Sequence, residues 1–478
     1  MLVVFGGECG LWGQTAKAKK PQADAVVQET ENYREAMSWF RKGEDMIGSD
    51  RENSEEQAEM FRKAISIRPV FVDAHYNLGL IYLNQGKMKD AAAEFETVLS
   101  LEPKYDVNIY YLLAAAYRES GDFEKSIATL EKGLEKKPED PVMLKALGYL
   151  QFNTDRDDAA VATLERIITL DPTDVDARLD LALLHQKKDR TEQAVAGYKK
   201  ALELAPKNFA AHYNLGLLYV KQRKPEAAAD EFDAARALEP GNVELLERLG
   251  DTRAYLKQYI LAADAYQDAL DRAGDPKLLM PKLGFSLAND GKVSAAIAAL
   301  EKAVSLDAKN SDAWFLLGDL CADSGKAEAA IAAYKKTAEL RPDLKEVRLN
   351  LGVLHANREM YPDAMAEFQQ AVALDDGYAA AWSNIALIAE KLDDDKGAIS
   401  AHEKLSSLGK AKALNYFHLG VLYARNSEAD LSINAFAKAI ELEPERYRTV
   451  LKDELKNVHS VLDNIRFQKR FMDLLTIP

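Results

Sequence analysis

Proline recurs in this chain at Pro69, Pro103, Pro138, Pro172, Pro206, Pro240, Pro342 and Pro444, at intervals of 34, 35, 34, 34, 34, 102 and 102 residues. The two long intervals are each three times 34, and Gly274, Ala308, Asp376 and Lys410 fill the skipped places. A fixed period of this length is the mark of an architecture that grows by repetition, because a unit so short cannot bury a core alone and must stack on its neighbours. The period therefore removes most folds open to 478 residues. Composition agrees: 47% apolar and 29% charged residues with only 15 prolines describe a folded, helix-rich chain.

Numbering each repeat so that proline takes slot 32 gives twelve repeats, at 36–71, 72–106, 107–140, 141–174, 175–208, 209–242, 243–276, 277–310, 311–344, 345–378, 379–412 and 413–446. Slot 7 is then leucine in ten repeats and Ile385 in an eleventh, and slot 8 is Gly or Ala throughout, from Gly43 and Gly79 to Ala386 and Gly420. Slot 20 is small from Ala91 and Ser126 to Ser432, and slot 24 is mainly aromatic or leucine, as in Phe95, Leu130, Tyr198, Phe232, Tyr266, Tyr334, Phe368 and Phe436. Trp39, Trp314 and Trp382 all take slot 4. The first repeat is the least regular, with Lys42 in the leucine slot and about two extra residues before Phe61.

Slots 4, 7, 8 and 11 recur at spacings of three and four, and so do slots 20, 24 and 27, so each set lines one face of its own helix. Small residues in slots 8 and 20 let the two helices approach closely. Glycines near slot 15 (Gly86, Gly121, Gly291, Gly325) suit the left-handed position that ends a helix, and proline stops the second helix. This pattern closely resembles the tetratricopeptide repeat family; His212 to Tyr219 (HYNLGLLY), followed by Ala228, Phe232, Ala235 and Pro240, is a nearly complete copy. The resemblance implies an all-α fold, an α-α superhelix or solenoid of about twelve helix hairpins.

Residues 447–478 are expected to form a capping helix, with Leu451, Leu455, Val458, Leu462, Ile465 and Leu474 along one stripe of a long final helix. Lys452, Lys456, Arg466, Lys469 and Arg470 are left for its solvent side or for an acidic partner. Residues 1–35 form an N-terminal segment with two readings. The apolar stretch from Met1 to Gly13 and the Ala16-Lys17-Ala18 triplet fit a truncated signal peptide, which places the protein in the periplasm or outside the cell; as a plain tail they leave it cytoplasmic. No later stretch reaches the 18 or more apolar residues of a membrane span.

A formal charge of −15, from 77 acidic against 62 basic residues, argues against nucleic acid as a partner. Cys9 and Cys321 are too few for a metal centre or disulfide framework, and Cys321 sits in slot 11 as a small core residue. His185 and His355 take the slot usual for tyrosine and His402 the aromatic slot 24, so each reads as packed core. Gly-Lys pairs at Gly86, Gly291 and Gly325 lack the rest of a phosphate loop, and Asp393-Asp394-Asp395 falls at a turn. No catalytic residues, no metal site and no cofactor are expected, and the repeats leave no space for a catalytic domain.

The resemblance further implies that slots 2, 5, 6, 9, 12 and 13 of the first helices face a concave groove that binds a protein or an extended peptide. The candidate groove residues are Tyr76, Tyr111, Tyr213, Phe315 and Phe417 in slot 5 and Asn77, Asn214, Asn350 and Asn384 in slot 6. Slot 9 adds Leu80, Leu183, Leu217, Phe285, Val353 and Leu387, and slot 13 adds Asn84, Asn153, Asn289 and Asn357. Apolar anchors and amides that pair with peptide backbone suit such a surface. The amide row is similar to the asparagine ladder of the O-GlcNAc transferase superhelix, although asparagine in slot 6 is also a plain consensus residue of the family. A carboxylate clamp is rejected, because its best alignment (Leu179, Leu183, Asn214, Glu244, Arg248) matches in two of five positions. Arg272 to Pro276 with Pro281 reads either as a hinge or as a local packing adjustment. The leading function is a non-enzymatic interaction scaffold, with assembly of an envelope or secreted complex as its role if residues 1–18 are a signal peptide; the other is a regulatory or substrate-recruiting subunit of an enzyme carried on a separate chain.

Overall fold

The computed structural model describes residues 20–457 and 460–476, where it contains 26 α-helices and no strand. Residues 1–18, Cys9 and Val458 lie outside the described residues. The helices pair into the expected hairpins, such as Val72–Asn84 with Met88–Leu101 in repeat 2 and Val243–Tyr255 with Tyr259–Asp271 in repeat 7. The first helix of repeat 1 begins early, at Lys20, and runs to Glu44. Two compact units divide the chain, residues up to Leu218 and residues from Tyr219 onward. Each is a stack of hairpins in which neighbours in sequence are neighbours in space.

One turn is repeated in every regular hairpin. Slot 15 has positive φ in all eleven, between 56° and 83°, and the N–H of slot 16 donates to the carbonyl of slot 11 at 2.8–3.0 Å. This six-to-one bond over a left-handed residue closes the first helix and reverses the chain. Gly86, Gly121, Gly291 and Gly325 do so without strain, whereas Asp155, Asp189, Arg223, Lys257, Glu359, Asp393 and Ser427 adopt a conformation that costs a side chain about 1 kcal/mol.

Between hairpins two polar devices recur. Asp or Asn in slot 34 caps the next first helix: Asp174 accepts from the N–H of Ala177 at 2.9 Å, Asn208 from Ala211 at 2.8 Å and Asn310 from Ala313 at 3.0 Å. The slot 32 carbonyl, orphaned at the end of the second helix, is taken by the residue in slot 4 six places on. Trp314 Nε1 donates to Ala308 at 3.1 Å, Trp382 Nε1 to Asp376 at 2.9 Å and Arg178 Nη2 to Pro172 at 2.6 Å. His75 Nε2 lies 3.0 Å from the Pro69 carbonyl in the same place. Trp, Arg and His share slot 4 because each puts an N–H at the end of a broad apolar body.

Inside a hairpin, slot 8 faces both slot 20 and slot 24. Ser126 and Ser432 donate to the carbonyls of Ala114 and Gly420 at 2.6 and 2.7 Å, so the backbones approach as the small residues require. The tighter constraint is the ring in slot 24: a Cβ on Gly79 would sit 2.7 Å from Phe95, and one on Gly250 would sit 2.5 Å from Tyr266. Repeat 5 exchanges the roles, with a methyl at Ala182 and a glycine at slot 23, where a Cβ on Gly197 would meet the Ala182 Cβ at 2.9 Å. Phe95, Phe368 and Phe436 are completely buried, each worth roughly 1.5–3 kcal/mol in transfer from water.

The end of the chain departs from the expected long helix. Pro444–Glu454 is helical, residues 455–457 and 460–468 are turns and irregular chain, and Lys469–Thr476 is a short last helix. Arg466 Nη2 holds the bend by donating to the carbonyls of Asn457 at 3.0 Å and Leu455 at 3.4 Å, and Asn464 Nδ2 reaches the Ala424 carbonyl at 2.7 Å. Folding back buries Leu462, Ile465, Phe471 and Leu475 against Phe436 and Ile440, which a straight helix could not do with residues on either side of the bend. The cap survives in a more compact form. Its basic residues are partly engaged, Arg470 with Asp430 at 3.0 Å and Asn434 at 2.8 Å.

At the expected irregularity, Ala273 is left-handed (φ 67°), Asp275 caps Pro276–Asn289, and Pro281 is accommodated inside that helix. Gly274 donates to the Ala269 carbonyl at 2.8 Å, and a Cβ there would lie 2.7 Å from that oxygen.

Candidate functional site

The slot 5 rings serve the hairpin before they serve any ligand. Tyr76 lies 6.1 Å from Phe95 and 5.3 Å from Tyr105; Phe315 lies 6.0 Å from Tyr334; Phe417 lies 5.8 Å from Phe436 and 5.3 Å from Tyr447. Tyr213 stacks on Phe209 at 5.7 Å, and Tyr111 packs against the core of its repeat. All five are half-buried.

Several of the amides are likewise committed within the chain. Asn350 Nδ2 donates to Tyr334 Oη at 3.2 Å and Asp319 Oδ1 at 3.4 Å in the preceding repeat, and Asn384 Nδ2 to the Ala380 carbonyl at 2.9 Å. In slot 13, Asn84 donates to Asn53 at 2.9 Å, Asn153 to the Tyr149 carbonyl at 2.8 Å and Asn289 to the Phe285 carbonyl at 2.9 Å. Asn77 lines a small cleft with Leu80 and Asn84, and Asn214 is half-buried. At Asn350, slot 6 is thus a bridge to the repeat before it. Lys282 makes the same reach with charge, to Glu247 at 2.8 Å and Asp251 at 2.9 Å. Burial opposes its charge, but the two carboxylates outweigh burial and raise the ammonium above its ordinary range.

The exposed apolar surface lies one step further round the helix. In slots 9 and 13, Tyr149 is 58% exposed, Phe285 46%, Leu387 52% and Tyr255 73%. Tyr149 and Tyr255 were not among the sequence candidates, because slots 9 and 13 vary in chemistry from repeat to repeat. Each lines a cleft. In the first unit, a cleft of about 510 Å³ is formed by Arg118, Phe123, Tyr149 and Asn153 among others. In the second, one of about 430 Å³ is formed by Val220, Arg223, Pro225, Asp251, Thr252 and Tyr255. The two occupy equivalent slots, where consecutive first helices leave a furrow.

One titratable cluster stands apart. His402 Nε2 and His418 Nδ1 each lie 3.0 Å from a different oxygen of Glu390. Burial opposes ionisation of this carboxyl, but the two imidazoles hold it down at about 2. His402 was expected to be packed core and is buried, but it also meets these partners. Cys321 is buried, and burial pushes its thiol above the ordinary range, as suits an inert core thiol.

Tetratricopeptide repeat family models match residues 60–93, 82–148, 146–174, 187–222, 213–277, 282–345 and 413–446. The chain belongs to the tetratricopeptide repeat family. Among curated proteins, this TPR chain is 35% identical over 78 residues to the peroxisomal targeting signal receptor of Kluyveromyces lactis, a match spanning 16% of the chain and 13% of the receptor. Among solved structures it is similar to YrrB, a TPR protein with an unusual peptide-binding site, at 22% identity and a TM-score of 0.35 over 38% of this chain and 95% of that one. It is also similar to Naa15 with Naa10 bound to HypK-THB, at 16% identity and a TM-score of 0.39 over 84% of this chain and 68% of that one. No helix among the described residues is long and apolar enough to cross a membrane.

Proposed function

We propose that this TPR chain is a non-enzymatic scaffold that binds an extended segment of a partner protein along the furrows between successive first helices. The observation that carries this reading is the exposure of Tyr149, Tyr255, Phe285 and Leu387 on that face, since large apolar groups left in water beside polar rims favour a partner that covers them. In this reading the half-buried Tyr213 and Asn214 support the contact surface, and a net charge of −15 favours a segment rich in Lys or Arg. The finer assignment to an envelope or secreted complex rests on residues 1–18 alone.

The test is a peptide library displayed against the full chain, with Tyr149→Ser and Tyr255→Ser as comparators. Selected peptides should lose about tenfold or more in affinity for one variant while its helicity is unchanged, the size of loss typical of an interfacial aromatic anchor. Peptides that bind wild type and both variants equally would remove these furrows from consideration. Tyr213→Ala with Asn214→Ala should weaken the same peptides to a smaller degree.

A further inference from the structure

We propose that Glu390, His402 and His418 bind a divalent transition ion of the zinc class. Three departures from the repeat pattern meet here. Among the eleven regular repeats Glu390 is the only acid in slot 12, His402 the only histidine in slot 24 and His418 the only histidine in slot 6. They come from three consecutive helices, Ala379–Lys391, Asp395–Ser407 and Ala413–Arg425, yet one ligand atom from each lies within 4.8 Å of the others.

The spacing suits an ion. Bonds of about 2.1 Å to imidazole nitrogen and carboxylate oxygen put adjacent ligands about 3.0–3.4 Å apart at square or tetrahedral angles. Each imidazole lies 3.0 Å from its own oxygen of the Glu390 carboxylate, so an ion between them would be held by both oxygens or by one after a small turn of the carboxylate. His402 is buried and fixed, while the side chains of Glu390 and His418 keep 24% and 35% of their surface, so water can complete the sphere from the open side. Two nitrogens and one carboxylate select zinc-class ions over the oxygen-loving Mg(II) and Ca(II).

The proton balance is simple. With neutral imidazoles, the hydrogens now on His402 Nε2 and His418 Nδ1 move to the other ring nitrogen, and the ion takes the vacated lone pairs. His402 Nδ1 faces Asn415 Nδ2 at 3.4 Å, while Asn415 Oδ1 accepts the Lys412 N–H at 2.7 Å. An acceptor at that place would favour the metal-bound tautomer, as carboxylates commonly do behind metal-binding histidines. Asn415→Asp supplies one and retains an oxygen for the helix cap.

The full chain, freed of metal by chelator, is titrated with Zn(II) by calorimetry and with Co(II) by visible absorption. The expected result is one saturable site per chain with a Co(II) ligand-field band, and an affinity at least about tenfold higher than for Mg(II). His402→Tyr restores the aromatic usual for slot 24 and His418→Ala alters a part-exposed residue, so both should stay helical while losing the band and at least tenfold in affinity. Asn415→Asp should gain affinity. Zinc should also raise the thermal midpoint of wild type and leave that of the two histidine variants unmoved. Absence of a saturable site, equal binding of Mg(II), or an undiminished Co(II) band in both histidine variants overturns the proposal.

Discussion

Replacing Gly250 and Gly148 by alanine should move stability in opposite directions, although the two glycines hold the same slot. In the interior of a helix, alanine is favoured over glycine by about 1 kcal/mol, and this term is common to both. The packing term separates them. A Cβ on Gly250 would lie 2.5, 2.7 and 2.9 Å from three atoms of the Tyr266 ring, inside ordinary contact at 3.4 Å and beyond. That ring cannot easily withdraw, because it is buried and its hydroxyl donates to Asp251 at 2.7 Å. Overpacking of this kind costs about 1–3 kcal/mol, so Gly250→Ala should lose a net 0–2 kcal/mol, about 1 in the middle. A Cβ on Gly148 would meet Thr163, Ile167 and Leu164 at 3.5–3.7 Å, which is ordinary contact. Gly148→Ala should therefore gain up to about 1 kcal/mol. A stack of repeats need not unfold in one step, so the quantity to measure is amide exchange protection of the affected hairpin, with thermal midpoint as a second probe. Shifts of the same sign for both glycines would refute the argument that the closeness of the slot 24 side chain sets the demand for glycine.

Further outcomes follow from the same repeats. Trp314→Phe keeps an aromatic ring but removes the N–H given to Ala308 and should cost about 0.5–1.5 kcal/mol, read as faster exchange at the junction of repeats 8 and 9; an unchanged rate would deny the bond any weight. Lys257→Gly, at a left-handed turn (φ 57°), should stabilise repeat 7 by about 0.5–1 kcal/mol, and a loss of stability would show that the turn carries no strain. Burial depresses the His75 pKa, but the Glu94 carboxylate at 2.5 Å and the Pro69 carbonyl outweigh it, so the folded value lies above the ordinary 6.5. Its contribution to stability is then fully present below about pH 6.5 and declines as pH rises through the folded value. The stability difference between wild type and His75→Gln should shrink from pH 6 to pH 9, and a difference that grows would reverse the assignment.

Whatever repeats was legible in the sequence, and whatever depends on a single meeting of residues was not. Slots 7, 8, 20 and 24 are read from spacing because each answers a demand made by the immediate neighbour, and every repeat has the same neighbour. The turn at slot 15 was half legible: Gly86 and Gly121 announce a left-handed residue, whereas Lys257 and Glu359 adopt it because the six-to-one hydrogen bond imposes it. At the C-terminus the stripe of Leu451, Leu462 and Ile465 fits a helix of 3.6 residues per turn, but the same residues reach the same core through a bend that Arg466 ties down. The groove shows a related limit. Tyr76 and Asn350 are of the types that bind peptides, yet Tyr76 packs on Phe95 and Asn350 bridges to Asp319, so residue type in slots 5 and 6 does not separate support from contact. Exposure does separate them, and it moves attention to Tyr149 and Tyr255. Glu390, His402 and His418 each pass alone as a tolerated variant of its slot. Only their convergence gives them chemistry, which suggests a general way to read such arrays: align the slots, mark each repeat's departures, and ask which departures the stacking geometry brings into contact.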